Sequence, residues 1–132
     1  MEAALSFAVF FLMIFAVIES ALFFQDHELL YNITREAARR VVVGDTIGAA
    51  ESRALQWNTA NTTFTASTVS FTVEQSPDAL IWTAVASTAQ AKTTDVVRVR
   101  ATYTHHNVTG FFGSHYVLHA TAIMRVENGS PS

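Results

Sequence analysis

The chain has 132 residues, half of them apolar and 14% charged, with a net charge of −3 and no cysteine. That leaves room for one domain of about 90 residues beyond a hydrophobic N-terminal segment. The absence of cysteine excludes a disulfide framework, a thiolate metal site and a cysteine nucleophile, and scattered cations leave no basic footprint for nucleic acid.

The first predicted element is a long helix. From Ala3 through Ile18 there is no charge, no Pro and no Gly, and Phe7, Phe10, Phe11 and Phe15 stand among Leu, Ile, Met and Ala. Ala3 to Phe24 would rise about 33 Å as a helix, close to the hydrocarbon thickness of a bilayer. Glu2 suits the positive end of the helix dipole and lies within reach of an α-amine, its own or a neighbour's. Glu19 has no cation three or four residues away, so it either pairs with another subunit or marks the headgroup boundary. Ala4, Ala8, Ala16 and Ser20 form a small-residue row, interrupted by Leu12, that lets helix backbones approach closely. The opening Met-Glu lacks the basic n-region of a signal peptide, and Arg35, Arg39 and Arg40 follow the apolar run. By the positive-inside rule those arginines would hold the C-terminal part in the cytoplasm. The expectation is therefore a mature chain whose basic leader has been removed; a native start at Met1 with the opposite topology is the alternative.

The helix is expected to continue from Gln25, with Leu29, Leu30, Ile33, Ala37 and Val41 forming an apolar stripe, and to end at the Gly44-Asp45 turn. A shorter helix follows from about Thr46 to Gln56, weakened by Gly48. Four half-buried strands are expected within residues 64–74, 79–89, 95–105 and 114–127, where apolar and polar residues alternate. Short connections favour an antiparallel meander. Trp57 and Trp82 read as packing residues under the sheet. The fold class is α+β, with residues 1–44 as a hydrophobic and then amphipathic helix and residues 45–132 as an exposed β-rich domain.

Several runs resemble the TadE-like pseudopilins of tight-adherence (Tad) pili, members of the type IV pilin-like group. These are Met1-Glu2-Ala3-Ala4-Leu5, Val17-Ile18-Glu19, residues 30–39 (LYNITREAAR) and residues 122–127 (AIMRVE). The family's Phe after the first Glu is Ala3 here, and its frequent proline in the apolar run is absent near Ala8. The resemblance implies a subunit trimmed by a prepilin peptidase, held in the inner membrane before assembly, and exported into an extracellular pilus by the assembly machinery. Its partners would then be copies of itself, in a helical homopolymer serving adhesion or surface attachment. A minor pseudopilin that primes or tips such a filament, and a single-pass membrane-anchored binding domain, are the rival readings.

Four of the five asparagines sit in N-x-[ST] sequons: Asn32, Asn61, Asn107 and Asn128. N-linked glycans are the expected modification at some of them, Asn32 being the weakest candidate because it falls within the helix. His105, His106, His115 and His119 surround one expected hairpin. They read first as a surface cluster; pairing of His105 with His115 as a metal or pH-sensitive site is the alternative. No Ser-His-Asp order, H-E-x-x-H or Gly-rich phosphate loop is present, so no enzymatic activity, cofactor or catalytic residue is expected.

Overall fold

The computed structural model describes residues 2–57, 64–65, 67–92, 95–107, 110 and 113–126, with the side chains of residues 2–4 and 57 left aside. Helix α1 runs Glu2–Val43, about 63 Å, without a break, because no Pro or Gly interrupts it. It stops at Gly44, whose φ of +106° only glycine adopts readily. There the Asp45 N–H donates to the Arg40 carbonyl (3.1 Å) and the Gly44 N–H to that of Val41 (3.2 Å), the paired bonds of a Schellman cap.

Helix α2, Ile47–Trp57, turns back against α1 and buries Ile47, Ala50 and Ala54. Four strands follow: β1 Val69–Ser76, β2 Thr83–Ala84, β3 Val96–His106 and β4 His115–Arg125. They make one antiparallel sheet in the order β2-β1-β3-β4. The α+β architecture is therefore as expected, but the meander is not. The second strand is two residues long and lies at the edge beside β1, and β3 pairs with the other side of β1. Residues after β2 are drawn away to α2 instead. Ile47 and Gly48 donate their N–H groups to the carbonyls of Ala89 (3.1 Å) and Ser87 (2.8 Å), and the Gln90 amide reaches the Gly44 carbonyl (2.6 Å). Gly48 suits this approach: a Cβ there would stand a tight 3.3 Å from the Ser87 carbonyl oxygen.

The core lies between α1, α2 and the inner sheet face. Leu30, Ile33, Ala37, Ala38 and Val41 of α1 meet Val69 and Val73 of β1, Val97, Val99, Ala101 and Tyr103 of β3, and Leu118, Ala120 and Ala122 of β4. Each large aliphatic side chain buried this way contributes about 1.5–3 kcal/mol. Thr34 enters the same layer by donating its hydroxyl to the Leu30 carbonyl (2.6 Å). On the outer face, Glu74 lies opposite Arg98 and their side chains pair at 2.6 Å. Trp82 covers that pair, its ring 4.1 Å from the Arg98 guanidinium carbon. Trp82 is thus not under the sheet but over its outer surface, because it precedes the two-residue edge strand β2 and stacks on Arg98, an outward-facing residue of β3. The Trp57 side chain lies outside the described residues.

Candidate functional site: the bare stem and its neck

The sheet covers only the second half of α1. Along the first half, Leu5, Phe7, Val9, Phe10, Phe11, Leu12, Met13, Ile14, Phe15, Val17 and Ile18 are all exposed, up to 71% at Leu5. This helix is long and apolar enough to cross a membrane. Of the expected assembly residues, Ala8 and Ser20 are exposed on this stem and Ala16 is half-buried. The Ser20 hydroxyl returns to the Ala16 carbonyl (2.8 Å), so the helix hides its own polar group at the end of the apolar run. The side chains of Glu2 and Ala4 lie outside the described ones.

Where stem meets sheet there is a neck. Glu19, Phe23, Asp26, Leu30 and Ile33 recur at spacings of four and three, so they share one helix face. The apolar stripe expected from Leu29 onward therefore extends about three turns further back, through two carboxylates. Glu19 is 5% exposed. It shares a cavity of about 310 Å³ with Ser20, Phe23, Phe24, Asn107 and Tyr116. The single chain thus packs Glu19 against its own sheet domain.

Phe23 is the centre of the neck. Its ring stands edge-on to His105 (centroids 5.9 Å, 90°) and to Tyr116 (5.9 Å, 82°). Next to it, His105 Nδ1 lies 2.7 Å from Asp26 Oδ2, with both side chains largely buried. Tyr103, one alternation along β3, has its phenol pushed above the usual tyrosine range by burial first and by the Asp26 carboxylate second. His105 therefore does not pair with His115. Strand register puts His105 opposite Tyr116, facing inward, and His106 opposite His115, facing out. His119 lies across from Thr102 on the outer face, its Nδ1 3.2 Å from that hydroxyl.

Sequence reading missed Phe23, Asp26 and Tyr116 as neck residues. The available signal was the helical spacing back from Leu30, which two acidic residues obscure. Among the sequons, Asn32 is exposed on α1, and Asn107 sits at the start of the β3–β4 connection, its amide donating to the Gly113 carbonyl (2.7 Å). Asn61 and Asn128 lie outside the described residues.

The fold is α+β with a bare apolar stem long enough to cross a membrane, and one comparison bears on it. The TadE-like protein family model matches residues 1–39, the stem, the neck and the first turns of the buried stripe. The matched region is the stem-bearing end of the chain alone, and it fits a membrane-anchored component associated with Tad pili. No curated protein and no solved structure matches the chain.

Proposed function

We propose that this protein is a structural pilin subunit that polymerises through the first half of α1 into an extracellular Tad-like pilus. The observation that carries this reading is the run of exposed apolar side chains from Leu5 to Ile18 on a helix whose second half packs one face against the sheet and α2. Such a surface needs lipid before assembly and sibling helices afterwards. In the filament, lipid contacts are exchanged for helix–helix contacts, and repeated heterologous packing of identical subunits gives an open helical polymer. Trimming by a prepilin peptidase, N-linked glycans on the exported domain and a role in surface attachment belong to the same reading.

Electron microscopy of the sheared surface fraction tests it, with mass spectrometry of the recovered subunit. Filaments built from this chain are the expected result; a protein that stays monomeric in the membrane fraction overturns it. Ala8→Phe should leave membrane insertion intact and abolish filaments, because the added ring holds neighbouring backbones apart. Glu19→Gln should reduce filament yield if the carboxylate serves assembly as well as the neck.

A further inference from the structure

We propose that His106 and His115 form a binding site for a divalent first-row transition-metal ion such as Zn²⁺, Cu²⁺ or Ni²⁺, at the hairpin end of the outer sheet face. The two residues are direct cross-strand partners, both exposed, with ring centroids 6.3 Å apart. Their position in the ladder is the favourable one. The Asn107 N–H donates to the Ser114 carbonyl (3.2 Å), which makes 107 and 114 a hydrogen-bonded pair. His106 and His115 are then a non-hydrogen-bonded pair, the kind whose side chains stand closest.

Two imidazoles on one tetrahedral ion, with metal–nitrogen bonds of about 2.0–2.1 Å, place their donor nitrogens about 3.4 Å apart. Both side chains are exposed, so they are free to rotate toward that spacing. One ring is already oriented. His115 Nδ1 lies 2.8 Å from the Ser114 hydroxyl, which fixes that nitrogen and leaves Nε2 outward as the donor. Imidazole nitrogen suits borderline ions of this series and not Mg²⁺ or Ca²⁺. His119 lies four residues along β4 from His115, about 13 Å away, and is engaged with Thr102, so it stands apart. Among the described residues no group of three or more metal-binding side chains forms. The remaining coordination positions therefore fall to water, and the bound ion clasps β3 to β4 at the mouth of their connection.

The test titrates tag-free, detergent-solubilised protein with Cu²⁺ and Zn²⁺, read by calorimetry and, for Cu²⁺, by electron paramagnetic resonance. One ion per chain with a two-nitrogen signal is expected. His106→Ala and His115→Ala should each weaken binding by on the order of tenfold or more, and Ser114→Ala by less. His119→Ala should bind as the parent does. Circular dichroism shows that the variants fold, which their exposure favours. Equal uptake by the His106→Ala/His115→Ala double variant, or no uptake by the parent chain, overturns the proposal. Neither result bears on filament formation.

Discussion

Between residues 5 and 18 helix α1 exposes nearly every large apolar side chain it has, whereas between residues 30 and 41 Leu30, Ile33, Ala37, Ala38 and Val41 are buried to within 1%. The two halves belong to one unbroken helix, but the first is almost wholly apolar while the second mixes apolar and charged faces. They differ in cover as well. The second half has a sheet and a second helix laid over one stripe, and its other faces carry Glu28, Arg35, Arg39 and the Glu36–Arg40 pair. The first half is apolar all round, so no single partner face could satisfy it. It must be surrounded, by lipid or by several sibling helices.

The contrast is most sharply broken by substitutions of one kind made in each half. Leu30→Ala should cost the folded domain about 2–5 kcal/mol, since the void falls where helix and sheet interlock. Phe10→Ala should change domain stability by less than about 0.5 kcal/mol while still affecting assembly. Denaturant unfolding of the solubilised chain checks both, and a similar loss from each would erase the distinction. At the boundary, His105→Ala should cost about 1–3 kcal/mol, because it strips the largely buried Asp26 of its partner. Asp26→Asn has a separate readout. The phenol of Tyr103 should ionise at lower pH than in the parent, yet stay above the usual range because burial remains its larger cause. Ultraviolet titration would show it.

Gly48→Leu should cost about 1–3 kcal/mol by forcing α2 off the Ser87 carbonyl, measured as a fall in thermal midpoint. The smallest effect is expected at Glu51, whose carboxyl is raised above its ordinary value by partial burial. A group raised on folding contributes its full stability at low pH and loses it as pH rises through the folded value. Glu51→Gln should therefore be slightly more stable than the parent at pH 7, by less than about 0.5 kcal/mol given solvent screening, and equal to it near pH 3. A reversed order would contradict the burial.

What residues in chain order could settle by themselves was local. The α1 stop at Gly44 follows from a glycine past an uninterrupted helical run, and β3 and β4 follow from the apolar and polar alternation along each of them. The exposed stem was legible too, because a continuous apolar run leaves no polar face to turn outward. Tertiary structure alone decided which strands are neighbours, which histidine of the adjacent pair His105 and His106 turns inward, and where Glu19 and Asp26 go. Periodicity records which side of its own element a residue occupies, not what waits there. Asp26 is tolerated on a buried stripe because a histidine 79 positions away arrives to meet it. Strand register, set by the whole sheet, makes that meeting.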